Sequence, residues 1–400
     1  MKRIALICLL SIAVAGAVEK RVIIPAGARP PVGPYSPGIL AGDYLYVSGQ
    51  GAAKQDGTFP ISPEDQVRQC FANVRQIVEA ANLKMANVVY AQVYLKDMSA
   101  YDAMHQVWGE TFPERSPARA VLGVARMPTE TPVEITVVAY RNPSRVQPVG
   151  PAPDRASPPA GVLVGDRLYL SGSSTNRAPD ASEPADEVQG ALDRMGAALK
   201  AAGMDFRHVV FVNPYLTDKM PMDVMNRIYA KHFEFGNTPA RATIRVSTLP
   251  GGASIEFTGV AVRDLAKRRA VRPKNMPPSA TASPCVFADD TYYCSAKSGF
   301  IPGPNTGIYA STVETQLRQT MRNLLDGLEE AELSFADVVA TNVYQDDLNE
   351  FSRMNKVYAE YFSQTPPTRT TVQQIVPAER KPDARDRWPT LEQISVIAVK

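Results

Sequence analysis

Three stretches decide how this chain is built: ANLKMANVVYAQVYLKDMSAYDAMHQVWGETF (81–112), AGMDFRHVVFVNPYLTDKMPMDVMNRIYAKHF (202–233) and AELSFADVVATNVYQDDLNEFSRMNKVYAEYF (331–362). Each carries a Val-Val pair, a tyrosine six residues after the first valine, an aspartate three residues further on, and a methionine one helical turn before an aromatic. Each then runs into a Pro-x-Arg: Pro117-Ala118-Arg119, Pro239-Ala240-Arg241 and Pro367-Thr368-Arg369. The arginines stand 122 and 128 residues apart, too long a period for a solenoid turn and the right size for a repeated domain. The expected division is 18–143, 144–266 and 267–400, with joins near Asn142-Pro143-Ser144 and at the basic run Lys267-Arg268-Arg269.

Working outward, each repeat opens on two short alternating strands around a two-residue turn: GILAGDYLYVSG from Gly38, GVLVGDRLYLSG from Gly161 and CVFADDTYYCSA from Cys285. A helix follows, with Val67, Phe71, Val74 and Val78 at the 3–4 spacing of one buried face. A strand over 88–95, a helix over about 99–112 and a closing strand pair, 118–124 and 133–140, complete the unit. The class is α+β, three ββαβαβ units with a further closing strand. Two helices cover one face of such a sheet, so the other face is expected to pack between repeats.

Composition excludes several functions. With 43 Lys and Arg against 41 Asp and Glu, the net charge of +2 gives no nucleic-acid footprint. Three His, four Cys and no HExxH or CxxC argue against a metal site, and no phosphate-binding glycine loop appears, so neither metal nor cofactor is expected. Lys2 and Arg3 precede an apolar run to about Val18 that ends on Ala15-Gly16-Ala17. This reads as a signal peptide over 1–17, about 15 apolar residues against the roughly 20 that span a bilayer. The alternative is an uncleaved anchor. Export, to the periplasm or beyond, makes disulfides permissible, with no stable membrane insertion expected after cleavage. Cys285 and Cys294 flank the turn Asp289-Asp290 as a non-hydrogen-bonded pair, where Cα atoms lie about 4.5 Å apart, so a bridge is expected there. The alternative is two reduced, buried thiols. Cys70, on the first helix beside Phe71, is expected to stay unpaired.

PVGPYSPGILAGDYLYVSGQ from Pro31, with PARAVLGVARMP (117–128) and VEITVVA (133–139), resembles the RidA (YjgF-type) family, and the likeness returns once per repeat. The resemblance implies a chorismate-mutase-like fold and homotrimers with clefts between subunits. It also implies hydrolysis of enamine and imine intermediates, such as 2-aminoacrylate, to 2-oxo acids and ammonia. Three fused repeats then look like the trimer in one chain, a monomer with internal pseudo-threefold symmetry.

An imino acid carries a carboxylate, for which a guanidinium fork is the natural receptor. An arginine after a proline is ordinarily a surface residue, but its recurrence in three diverged repeats singles out Arg119. The resemblance gives Arg119 the carboxylate-binding role. It makes Glu134 the residue that handles protons and water, and Tyr35, Ser48 and Gly49 the lining of the cleft. His105, a candidate for the cleft wall with a simple helix residue as the alternative, stands where repeats two and three have Asn226 and Asn355. Repeat two keeps Arg241, Asn226 and Glu256, but Pro158 falls at the tyrosine's place. Repeat three keeps Arg369 and Asn355, with Ala282 at the tyrosine's place and Gln393 at the glutamate's, Glu392 being one residue off. The expectation is therefore one deaminase site around Arg119, with Arg241 and then Arg369 in lesser clefts; the alternative is that Tyr35 reaches across to a neighbouring unit, which puts Arg241 or Arg369 first. The rival reading is a pseudo-trimer that binds small carboxylates without turnover. Ribonuclease activity fits less well, since no basic stripe with interleaved aromatics appears.

Overall fold

The structure is a computed structural model of the chain; it describes residues 18–152, 154, 156–174, 183–303, 307–362, 364–375 and 379–400. The expected leader, 1–17, lies outside them. In the first unit, strands β1 (Lys20–Ile23), β2 (Gly38–Ala41) and β3 (Tyr44–Gly51) precede helix α1 (Pro63–Ala80). Strand β4 (Val88–Leu95), helix α2 (Tyr101–Thr111), β5 (Ala118–Gly123) and β6 (Val133–Tyr140) follow. The sheet order is β1-β2-β3-β6-β4-β5. Strands 118–123 and 133–140 are not neighbours, contrary to the closing pair expected from sequence. β5 runs parallel to β4, and β6 lies between β3 and β4.

The second unit repeats the plan with β7 (Val146–Val149), β8 (Gly161–Val164), β9 (Arg167–Ser173), α3 (Pro184–Ala201), β10 (Val209–Leu216), α4 (Met222–Tyr229), β11 (Ala240–Arg241), β12 (Ile244–Arg245) and β13 (Ile255–Val262). The third has β14 (Arg268–Val271), β15 (Cys285–Ala288), β16 (Thr291–Ser298), α5 (Val313–Glu329), β17 (Val338–Gln345), α6 (Phe351–Tyr361), β18 (Thr368–Gln373) and β19 (Glu392–Val399). Each unit thus has a leading strand that the sequence reading lacks: β1, β7 and β14 add an edge to their hairpins.

Local chemistry explains the elements. Pro63 opens α1 at a position that needs no N–H, and the Ser62 side chain accepts from the Asp65 N–H. Val67, Phe71, Val74 and Val78 are all buried on one face of α1. Phe71 meets the edges of Trp108 and Phe112, the ring centres 5.9 and 5.6 Å away. Burying each such side chain contributes about 1.5–3 kcal/mol. The first turn residue of every hairpin, Gly42, Gly165 and Asp289, has φ near +60° (56°, 59° and 61°), which glycine adopts at no steric cost and aspartate tolerates.

The other sheet faces meet in a shared core to which all three units contribute, among them Tyr94, Tyr169, Tyr215, Tyr293 and Tyr344. The ring of units is closed: β5 packs on β9, β11 on β16 and β18 on β3. At one end Gly123 N–H donates to Thr248 C=O (2.9 Å) and Gln373 N–H to Arg126 C=O (2.9 Å). At the other end the three hairpin turns converge. There the buried Arg167 guanidinium lies 4.4 Å from the Tyr44 ring centre, and its Nη2 donates to Ala288 C=O (3.1 Å) and Thr291 Oγ1 (2.9 Å).

Cys285 and Cys294 are directly opposite in the β15–β16 ladder and joined, S–S 2.07 Å, while Cys70 is free and buried. Denatured, unreduced protein purified from an oxidising compartment is expected to expose one titratable thiol from these three cysteines rather than three. Loss of the bridge by Cys294→Ser is expected to cost about 2–3 kcal/mol, seen as a lower denaturation midpoint.

Candidate active site

The same clasp builds three clefts, each between two units. The Arg369 N–H donates to Ser48 Oγ (2.9 Å), whose hydroxyl donates to Ser36 C=O (2.6 Å). Arg119 with Ser171 and Pro159, and Arg241 with Ser295 and Ser283, repeat the arrangement. Each Pro-x-Arg therefore docks against the next unit's hairpin strand, not its own. Ser48, expected to line the cleft, is buried and has its hydroxyl engaged in this clasp, so it positions Arg369.

In the first cleft, Tyr35, Gly49, Gln50 and Glu134 of unit one face Arg369, Thr371 and Phe351 of unit three across a cavity of about 170 Å³. The Tyr35 loop is pinned to unit three, where Ser36 Oγ donates to Pro366 C=O (2.6 Å). The Arg369 guanidinium carbon lies 5.4 Å from the ring centres of Tyr35 and Phe351 and 5.0 Å from that of Tyr358. Its Nη1 donates to Asn355 Oδ1 (2.7 Å). Three rings and an amide thus fix a fork that is only 4% exposed. Gly33 passes so close that a Cβ there would overlap Arg369 Nη2.

Glu134 comes from β6 and is buried. Gly49 makes its seat, since a Cβ there would overlap Glu134 Oε1. Burial pushes the Glu134 carboxyl up to about 8, against the pull of the Arg369 charge. Burial also raises the Tyr35 phenol.

Arg119 does not join Tyr35 and Glu134. It faces unit two across the second cleft, where it pulls on Glu256, another carboxyl that burial lifts to about 8. Gly172 gives Glu256 the seat that Gly49 gives Glu134. Arg119 lies 4.7 Å from the Trp108 ring centre and its Nη2 is 3.2 Å from His105 Nδ1. A guanidinium only donates, so Nδ1 accepts and the imidazole proton sits on Nε2, which stands 3.7 Å from Asp154 Oδ1. His105 thus holds Arg119 as Asn355 holds Arg369. In the third cleft Arg241 donates to Asn226 Oδ1 (2.7 Å) and shares a cavity with Ala282, Lys297 and Gln393.

The site expected around Arg119 is therefore rearranged: Tyr35, Gly49 and Glu134 share their cleft with Arg369 and Asn355, while Arg119 and His105 share theirs with Glu256. Sequence reasoning missed Phe351 and Tyr358 of the arginine cage. Tyr358 stands four residues before Phe362 in the repeated helix, at the place of Trp108 and Tyr229, and that recurrence was its signal. Among the described residues no cluster of His, Cys, Asp and Glu could hold a metal ion. No helix among them is long and apolar enough to cross a membrane.

The sequence profile described as Endoribonuclease L-PSP matches the chain three times, over 26–141, 153–263 and 274–378. A RutC family protein of Pyrococcus horikoshii is 37% identical over 132 residues, which are 30% of this chain and 98% of the relative. One from Saccharolobus solfataricus is 34% identical over 133 residues, 31% of this chain and 99% of the relative. The solved structure of the YjgF gene product of E. coli is 32% identical, covers 30% of this chain and 99% of its own, and has a TM-score of 0.30. Each relative corresponds to a single unit. The chain belongs to the Endoribonuclease L-PSP family, the RidA/YjgF-type proteins, and carries three copies of the family's unit in tandem.

Proposed function

We propose that the protein hydrolyses small 2-imino and 2-enamino acids to 2-oxo acids and ammonia, and that the cleft of Tyr35, Glu134 and Arg369 performs the chemistry. The observation that carries this reading is a caged guanidinium facing a buried, largely protonated carboxyl group across a cavity of small-molecule size. Among the described residues Arg369 gives one side-chain donor, to Asn355, so its fork keeps donors with which to grip a carboxylate. Protonated Glu134 can deliver its proton to the enamine carbon or imine nitrogen. The carboxylate left behind takes a proton from the water that adds to C2. It returns that proton to the amino nitrogen, and as the C–N bond breaks and ammonia leaves, the C2 hydroxyl becomes the carbonyl by giving its proton to the Glu134 carboxylate, which restores the acid.

The test is ammonia release from freshly generated 2-aminoacrylate. Turnover lost with Glu134→Gln supports the reading, whereas saturable carboxylate binding without turnover replaces it with the binding one. RNA cleavage that depends on Glu134 would put the ribonuclease activity in the family's name first.

The closed ring of units further supports a monomer as the working assembly. Sedimentation is expected to give one chain, about 43.5 kDa less any cleaved leader, and a mass of three chains would overturn it. The apolar start of the sequence and the Cys285–Cys294 bridge support an exported protein.

A further inference from the structure

Equivalent places on the three sheets carry Tyr90, Phe211 and Ala340. The registers fix the equivalence: they pair with Ala118, Ala240 and Thr368 on one side and with Val138, Val260 and Ile397 on the other. Tyr46, Tyr169 and Tyr293 are equivalent in the same way, opposite Ile39, Val162 and Val286. Across two of the three unit boundaries these places make a pair of rings. Tyr90 lies against Tyr169, the ring centres 6.0 Å apart, and Phe211 against Tyr293 at 5.8 Å. At the third boundary the ring over Tyr46 would come from position 340, which is an alanine. Among the described residues no ring packs on Tyr46, although Tyr46 is only 3% exposed. Thr368 and Ile397 are larger than their counterparts and give back only part of the missing ring.

A cavity of about 90 Å³ remains, with Tyr46, Gln92, Ala340, Asn342, Thr368 and Ile397 in its wall. Close-packed interiors seldom leave such a void. Its one charged wall residue is Arg369, whose guanidinium is caged in the first cleft, so the cavity suits an uncharged occupant. The wall is not wholly apolar. The Tyr90 hydroxyl donates to Gln92 Oε1 (3.2 Å), and Asn342 holds the place of Gln92 in the third unit. Gln92 Nε2 and the Tyr46 hydroxyl are buried without a hydrogen-bond partner among the described residues. Buried polar groups left in that state are costly, and an occupant that carries an oxygen relieves the cost.

We propose that this cavity binds one small uncharged aromatic molecule with a hydroxyl group, a phenol. Its ring takes the place over Tyr46 that the Phe211 ring takes over Tyr293, where a ring pair adds attraction beyond the burial of area. Its hydroxyl donates to Asn342 Oδ1 as the Tyr90 hydroxyl donates to Gln92 Oε1. A cavity of about 150 Å³ takes a single benzene, so this one has no room for two fused rings. The vacancy belongs to one unit boundary only, and the site stands independently of the imine chemistry of the first cleft.

The test titrates the full chain with phenol, in the native form and as Ala340→Phe, with and without saturating acetate. One phenol site should weaken at least tenfold in Ala340→Phe, because the new ring fills the seat, and the urea midpoint of that variant should equal or exceed the native one. Acetate should leave phenol binding unchanged, which separates this cavity from the arginine clefts. A crystal of the native protein soaked in phenol should show the ring against Tyr46, a reading that needs no variant. Phenol binding that survives in folded Ala340→Phe would overturn the proposal. So would competition by acetate, a soaked ring found only in the clefts, or a native protein that takes up no phenol.

Discussion

Arg369→Lys is expected to reduce imine hydrolysis more than Arg241→Lys or Arg119→Lys, although the order of the sequence alone favoured Arg119. Lysine keeps the charge but loses the planar fork and its fit among the rings of Tyr35, Phe351 and Tyr358. Losing one charge-assisted hydrogen bond costs about 1.5–3 kcal/mol, or roughly ten- to 150-fold in affinity for the substrate carboxylate. Glu134→Gln should spare that affinity and lower turnover by about 10²–10⁴. Gly49→Ala should act in the same direction without touching a reacting group, because the new methyl occupies the glutamate's place. Arg119→Lys comes second, since its cleft keeps a high-pKa glutamate, Glu256, but has Pro158 at the tyrosine's position. Arg241→Lys should leave hydrolysis nearly unchanged, since Gln393 faces it. Steady-state kinetics and carboxylate titration of the variants decide the order. Equal small effects from all three arginines would leave the first cleft without a catalytic role.

The second large effect is on stability. Glu134, Glu256 and Glu392 are buried carboxyls lifted from an ordinary value near 4.5 to about 8, burial being the main cause in each. The native state therefore holds protons that the unfolded chain releases above about 4.5. The stabilisation is full below that pH and is lost as the pH rises towards about 8. Each fully retained proton is worth about 1.4 kcal/mol per pH unit. The unfolding free energy is thus expected to fall by at least 1 kcal/mol per unit between about pH 5 and 8, read from urea midpoints across that range. Glu392→Gln should flatten the profile by one proton without altering any cleft, because Glu392 faces α5, where Thr320 donates to it. A stability that stays flat or rises over this window would contradict the buried, protonated state.

What the sequence could reveal was set by distance along the chain. The face of α1, the two-residue turns and the opposed Cys285 and Cys294 depend on neighbours a few residues apart, so periodicity and spacing displayed them. The shift between Gln393 and Glu392 was equally legible, since one residue along a strand turns a side chain to the other face. The four-residue strands β1, β7 and β14 are too short to show alternation. The partnership of Tyr35 with Arg369 spans more than 300 residues. No local pattern encodes it, because each Pro-x-Arg looks the same whichever hairpin it docks against.

Arg167 shows what joining the units permits. Tyr44, Arg167 and Thr291 open their strands at equivalent places, and Arg167 touches both of the others where the hairpins converge. Separate identical subunits would have to put the same residue at all three places, and three guanidiniums so close would drive each other apart. A single polypeptide can use one arginine, one tyrosine and one threonine there. Three free copies of the middle unit would set three guanidiniums together there, so the ring as built calls for one copy of each unlike unit, which a single chain supplies in fixed proportion.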